Sequence, residues 1–242
     1  MAARSEKAAA RVAQEIVQTI YDENLAPGDR YLSEADALAR HNVSRATYRE
    51  ALRFLEFQGV IRVRAGPSGG TFVDKPDWPH LTSTFALLLQ FADAPIAQVM
   101  SARAALEPEM ARQAAQNATA AQVGEMEALL ALAEQRVADA ASFTAAYRRF
   151  WAALAAATGN AVSAMLWPAL RALVDSGGFT PNEVYRKALV ARMRALLTAV
   201  RDRDGDAAHL LMRDLAREFG ERLEENYPQR FARTIAWSDV QS

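Results

Sequence analysis

Val43-Ser44-Arg45-Ala46-Thr47-Tyr48-Arg49-Glu50-Ala51-Leu52-Arg53-Phe54-Leu55-Glu56-Phe57-Gln58-Gly59 is the stretch on which the fold turns. Tyr48, Ala51, Leu52 and Leu55 recur at i, i+3, i+4 and i+7, the spacing of one apolar stripe on a helix. Arg45, Arg49 and Arg53 step along a neighbouring face, so the predicted helix has a core side and a basic side. Ser44 is suited to open it, because a hydroxyl at that position accepts from the free N–H groups of the first turn. Gly59 is suited to close it, because glycine tolerates the left-handed conformation that ends many helices.

Working outward, Ser33-Glu34-Ala35-Asp36-Ala37-Leu38-Ala39-Arg40 reads as a short helix capped by Ser33, and His41-Asn42-Val43 as a tight turn into the basic helix. Downstream, Val60-Ile61-Arg62-Val63-Arg64 alternates apolar and basic residues at period 2. Ala65-Gly66-Pro67-Ser68-Gly69-Gly70 reads as a turn and Thr71-Phe72-Val73 as the returning strand. A helix-turn-helix followed by a hairpin is a winged helix. Upstream, Ala8 to Leu25 is expected as a packing helix with Val12, Ile16, Ile20 and Tyr21 on one side, ending at Leu25-Ala26-Pro27-Gly28-Asp29.

The run Leu32 to Val73 resembles the N-terminal domain of GntR-type transcriptional regulators. Leu32-Ser33-Glu34, Val43-Ser44-Arg45, Arg49-Glu50-Ala51-Leu52, Leu55-Glu56, Gly59 and Gly69-Gly70-Thr71-Phe72-Val73 carry the resemblance. One position departs from the family pattern. The residue after Ser33-Glu34 is commonly a DNA-contacting arginine, and here it is Ala35, so either that contact is missing or another arginine replaces it.

Composition sets the outer bounds. The chain has 242 residues, of which 51% are hydrophobic and 24% charged, as expected of a globular protein with one large or two ordinary domains. It has no cysteine, which excludes disulfides and thiolate metal sites, and no apolar run approaches the roughly 20 residues of a membrane helix. The first residues lack the apolar core of a signal peptide, so a cytoplasmic protein is expected, with no membrane partner. The formal net charge is −1, but DNA binding needs clustered positive charge rather than a positive average. Arg40, Arg45, Arg49, Arg53, Arg62 and Arg64 face only Glu50 and Glu56 in that interval, a local excess of four positive charges.

Asp74-Lys75-Pro76-Asp77-Trp78-Pro79-His80 has two prolines and no period and reads as a linker, dividing a DNA-binding domain (1–77) from a second domain (78–242). The second domain is helical in pattern throughout, with breaks at Ala94-Pro95, Asn117-Ala118-Thr119, Ala140-Ala141-Ser142, Thr158-Gly159-Asn160, Ser176-Gly177-Gly178 and Asp202-Arg203-Asp204-Gly205. Six or seven helices in an antiparallel bundle are expected, which makes the chain mainly α with a small β-hairpin wing.

This half resembles, more loosely, the FCD effector domain of the FadR branch of the GntR family. The matching residues are Arg103 with Leu106-Glu107-Pro108 and Ala114-Ala115, Phe150 with Leu154 through Ala156 and Thr158 through Asn160, and Asp204 with Ala208 and Met212. Many members of that branch hold a divalent metal through an Asp and three His. The resemblance places Tyr147 at the Asp position, Trp151 at the first His, Met193 at the second and Leu215 at the third. These are not metal ligands, so neither metal nor other cofactor is expected. The three histidines, His41, His80 and His209, have no pairing at metal spacing.

The resemblance therefore implies either an open pocket for an apolar, acyl-like effector at Tyr147, Trp151, Met193 and Leu215, or a cavity filled by the aromatic side chains in a domain that only dimerises. Arg103 is implied to hold an acidic end of the effector; the competing reading is an intrahelical pair with Glu107 at i+4. On the DNA side, Arg45 and Arg49 are expected to read guanines, Ser44 and Thr47 to contact phosphates or base edges, and Arg53 and Arg64 to join them. Gly66 at the wing tip would let backbone approach the minor groove. A homodimer on a palindromic double-stranded operator is expected.

Other classes fit less well. Gly66-Pro67-Ser68-Gly69-Gly70 is followed by a strand rather than the Lys-bearing helix of a phosphate loop. No convergent acid, base and nucleophile suggests an enzyme. A non-DNA interaction module is the remaining alternative.

Overall fold

The computed structural model describes residues 2–66, 69–176, 179 and 181–240, with side chains from Lys7 onward. Two compact units divide the chain, Met1–His80 and Leu81–Ser242.

The first unit contains α1 (Ala2–Asp22), α2 (Glu34–His41), α3 (Arg45–Phe57), β1 (Ile61–Arg64) and β2 (Gly70–Val73). Its core gathers Val12, Ala13 and Ile16 of α1, Ala37 of α2, Tyr48, Ala51, Leu52 and Leu55 of α3, and Ile61 of β1. The α3 residues are the stripe that the helical period predicts, whereas in β1 only Ile61 of the alternating residues enters the core and Val63 is 44% exposed. Tyr21 departs from expectation and is 78% exposed. It lies nine residues beyond Val12, about half a turn around the helix from the buried stripe. The helix also starts earlier, at Ala2, and stops at Asp22, before the Pro27-Gly28 turn.

Ser33 caps α2 by accepting from the Asp36 N–H, and Ser44 caps α3 by accepting from the Thr47 N–H, each at 3.2 Å. Asn42, at φ 49°, makes the left-handed turn between the two helices, and Gly59, at φ 72°, makes the one after α3. A methyl group at Gly59 would lie 2.3 Å from the His80 ring, so both backbone and space demand glycine there. β1 and β2 pair antiparallel from Ile61↔Val73 to Arg64↔Gly70. Gly28–Tyr31 runs beside β2 as a further partner, with the Tyr31 N–H donating to the Thr71 carbonyl at 2.8 Å and Arg30 bridged to Phe72. Pro67 and Ser68 of the expected wing turn lie outside the described residues.

The linker is shorter than the prolines suggest. Only 74–77 lack secondary structure, and α4 (Trp78–Phe91) begins at Trp78. Pro79 sits in its first turn, where a missing N–H forfeits no helix bond. The second unit continues with α5 (Ile96–Asn117), α6 (Ala120–Gln135), α7 (Ala140–Ala156), α8 (Ala161–Asp175), α9 (Glu183–Arg201), α10 (Gly205–Asn226), α11 (Pro228–Phe231) and a 3-10 turn at Trp237–Val240. α5 is the central helix, packed against α7, α8, α9 and α10. Ala140-Ala141-Ser142 is not a break but the first turn of α7, because Asp139 just before it accepts from the Ser142 N–H at 2.6 Å. Thr119 and Gln122 form a capping box at the start of α6. Gly177 and Gly178 of the break after α8 are outside the described residues.

Candidate nucleic-acid interface and effector cavity

Burial of Tyr48, Ala51, Leu52 and Leu55 turns the opposite side of α3 outward, leaving Ser44, Arg45, Arg49 and Arg53 exposed and Thr47 half-buried. The turn that aims the helix is fixed from beneath by His41. This imidazole is 5% exposed, with Nδ1 2.8 Å from Glu15 Oε2 and Nε2 3.3 Å from the Tyr31 hydroxyl. The His41 bond is the first reason that the Glu15 carboxyl titrates below its ordinary range. His41 therefore belongs to the packing of the turn.

The arginines divide by partner. Arg40 is paired with Glu23 at 3.1 Å and Arg62 with Asp74 at 2.6 Å, and both acids lie outside the interval in which local charge was counted. Arg49 Nε stands 3.7 Å from Glu34, an extended and exposed pair. Among the described residues, Arg45 and Arg53 have no ion-pair partner. Arg64 lies over the Phe72 ring at 4.6 Å, a cation–π contact that holds the guanidinium against the wing. Glu56 near the end of α3 accepts the Val63 N–H of β1 at 2.9 Å, tying helix to wing. Between them runs a groove of about 550 Å³, lined by Arg30, Arg49, Arg53 and Arg64 with Glu34 and Glu56. Gly66, at φ 104°, has open space around it at the wing tip.

In the second unit the expected pocket residues separate. Trp151, Met193 and Leu215 are 1%, 0% and 6% exposed and belong to the continuous core. Tyr147 is half-buried and lines a cavity of about 130 Å³, together with Phe143, Phe179, Tyr185, Phe219 and Tyr227. Its polar groups are the Arg148–Asp175 pair, Arg222 above the Tyr185 ring at 4.0 Å, and the Asn182 and Asn226 amides. Burial pushes the Tyr185 phenol up to about 12, so it stays protonated. The cavity lies at the Tyr147 end of the region that the resemblance assigned to metal. Among the described residues, no three His, Asp or Glu side chains converge as a metal site.

Behind Tyr147 is a polar cluster that the helical pattern concealed. Arg103 Nε donates to Glu107 Oε1 at 2.8 Å, as the i+4 spacing allows, and Arg171 donates to Glu107 Oε2 at 2.9 Å. Arg103 is 3% exposed, Glu107 1% and Arg171 7%. The Arg171 guanidinium stacks on Trp151 at 3.7 Å and donates to the Tyr147 hydroxyl at 3.2 Å. Burial alone would raise the Glu107 carboxyl, but the charges of Arg103 and Arg171 outweigh it and hold Glu107 below the usual carboxylate range. The one signal for Arg171 was a charge inside the apolar run Leu166 to Val174.

A helix-turn-helix with an arginine-lined wing groove, joined to a helical domain, defines a DNA-binding transcriptional regulator rather than an enzyme. Comparison with known proteins gives the family. Residues 8–73 match the model of bacterial regulatory proteins of the gntR family, and residues 98–218 match the FCD domain. The chain belongs to the GntR family, in its FCD-bearing branch. It is 29% identical over 204 residues to the HTH-type transcriptional repressor NanR of Citrobacter rodentium, covering 81% of this chain and 78% of that one. It is 28% identical over 225 residues to the Uxu operon transcriptional regulator of Escherichia coli K12, covering 87% and 82%. A solved structure, Streptococcus agalactiae GntR, shares the fold with a TM-score of 0.70 at 21% identity, covering 88% of this chain and 99% of that one. Among the described residues, no helix is long and apolar enough to cross a membrane.

Proposed function

We propose that this regulator binds a palindromic operator as a homodimer and responds to a small, mainly apolar effector held without metal in its FCD domain. The N-terminal end of α3 enters the major groove, where Arg45 and Arg49 read guanines and Ser44 and Thr47 contact phosphates or base edges. Arg53 and Arg64 add backbone contacts, and Gly66 brings the wing tip to the minor groove. The observation that carries this reading is the pattern of pairing around the groove. Arg40 and Arg62 are held by close acids and Arg49 stands 3.7 Å from Glu34, whereas Arg45 and Arg53 are exposed with no ion-pair partner among the described residues.

The effector site is the cavity beside Tyr147, whose aromatic lining suits an apolar body and whose Arg222 and amides suit a polar end. Burial of Trp151 and Met193 favours a second reading, in which the family pocket is filled and the domain serves dimerisation alone. Selecting bound duplexes from a random DNA pool tests the first part, with a palindrome as the expected outcome. Arg45→Ala and Arg49→Ala should each lose about 1–3 kcal/mol of operator affinity and relax specificity at one base pair. Unchanged specificity in both variants rejects the docking mode. Thr144 also lines this cavity, and the cavity-filling variant Thr144→Phe distinguishes the two effector readings, because it abolishes a ligand response only where the cavity is used.

A further inference from the structure

Ala35 stands where the resemblance noted above commonly implies an arginine, and Glu34 and Asp36 make the first turn of α2 acidic. A phosphate lying across this end of the reading surface would meet negative charge unless a cation stands nearby. Arg49 stands 3.7 Å from Glu34 but is assigned above to the bases, and Arg30, which lines the same groove as Glu34, is the further cation at this end. It precedes the Ser33 cap by three residues, and the segment carrying it is hydrogen-bonded along β2, with Arg30 itself bridged to Phe72. Its backbone is therefore fixed to the wing. Its side chain turns along the wing base, where one terminal nitrogen donates to the Gly69 carbonyl at 3.1 Å. A methyl group on Gly70 would come within 3.0 Å of Arg30 Nε, so the guanidinium lies close over that glycine. No acid is paired with it among the described residues, and it lines the groove shared with Arg49, Arg53 and Arg64.

We infer that Arg30 is a DNA-backbone contact that supplies the charge missing at Ala35, and that its grip on Gly69 sets the wing for binding. The inference rests on the operator-binding reading above. A guanidinium has five N–H donors, and the Gly69 carbonyl takes one, which leaves a fork for a phosphate oxygen pair. The contact is blind to sequence, because a phosphate presents the same oxygens beside every base.

The test is the salt dependence of operator binding by the full chain. Each phosphate neutralised contributes about 0.9 to the slope of log affinity against log salt, so one contact is worth roughly eightfold in affinity at 0.1 M salt. Arg30→Gln retains an N–H donor for Gly69 but has no charge. It should bind roughly eightfold more weakly, with the slope reduced by about one and discrimination among mutated operators unchanged. Arg30→Lys should retain the slope, and Ala35→Arg added to Arg30→Gln should restore it. A purely structural role would lower affinity in Arg30→Gln with the slope intact, and that result would overturn the inference. Failure of the parent reading looks different: wild type would select no operator from the pool, and the inference would fall with it.

Discussion

Replacing Glu107 by Gln keeps the shape of the side chain and removes the carboxylate that pairs with both Arg103 and Arg171. Glu107 is 1% exposed and accepts from both guanidiniums, at 2.8 and 2.9 Å. The variant would leave two buried cations facing each other across a neutral amide. Removing one partner of a buried ion pair costs about 3–5 kcal/mol, since the remaining charge is uncompensated and dehydrated. For a domain of this size each kcal/mol shifts the melting point by roughly 2–4 °C, so Glu107→Gln should unfold roughly 6–20 °C below wild type. Arg171→Met should cost less, because Glu107 then still faces Arg103 as a balanced pair, although the stack on Trp151 is lost. The pH dependence supplies an independent check. The folded carboxyl titrates below its ordinary value of about 4.3, so its contribution is complete above that pH and disappears as pH falls through the folded value. Wild type and Glu107→Gln should therefore converge in acid. Differential scanning calorimetry between neutral and acid pH measures both effects. A Glu107→Gln protein within about 1 kcal/mol of wild type at neutral pH would refute the reasoning.

Three further outcomes are expected. Gly59→Ala, forced to keep φ 72° with its methyl group 2.3 Å from the His80 ring, should lose at least about 1 kcal/mol in urea unfolding. His41→Leu removes a partner of the Tyr31 hydroxyl and releases Glu15, and should cost about 1–3 kcal/mol by the same measurement while α3 keeps its sequence. Zinc added to protein purified without chelator should not raise the melting temperature; a large stabilisation lost on chelation would mean that ligands other than Tyr147, Trp151, Met193 and Leu215 converge.

What was legible in the sequence was what is encoded locally. Ser33 and Ser44 bond to backbone three residues on, Asn42 and Gly59 hold the left-handed turns, and the α3 stripe follows from a 3.6-residue period. Ala140 to Ser142 misled because alanines with a serine resemble a loop, and only Asp139 marks the helix start. The polar cluster was half legible. Arg103 and Glu107 are one turn apart, but Arg171 meets Glu107 across 64 residues of chain, a distance that no local pattern spans. The shift of the cavity toward Tyr147 was hidden for a similar reason. Whether Trp151 lines a space or fills it depends on Arg171 stacking upon it from another helix. Arg30 escaped notice because its significance lies in a bond to Gly69, 39 residues away.

The bond between Glu56 and the Val63 N–H bears on how new operator preferences can be made. The helix proposed to read bases and the hairpin beside it are latched by a helix side chain, so the aim of one is a boundary condition on the other. A transplant of α3 alone from a regulator with another residue at the position of Glu56 leaves the recipient hairpin to find a new anchor. The natural exchangeable cassette runs from Ser44 through Val73, helix and hairpin together. Chimeras cut at those two points should change operator choice cleanly, whereas chimeras cut at Gly59 should change operator choice and weaken binding at once.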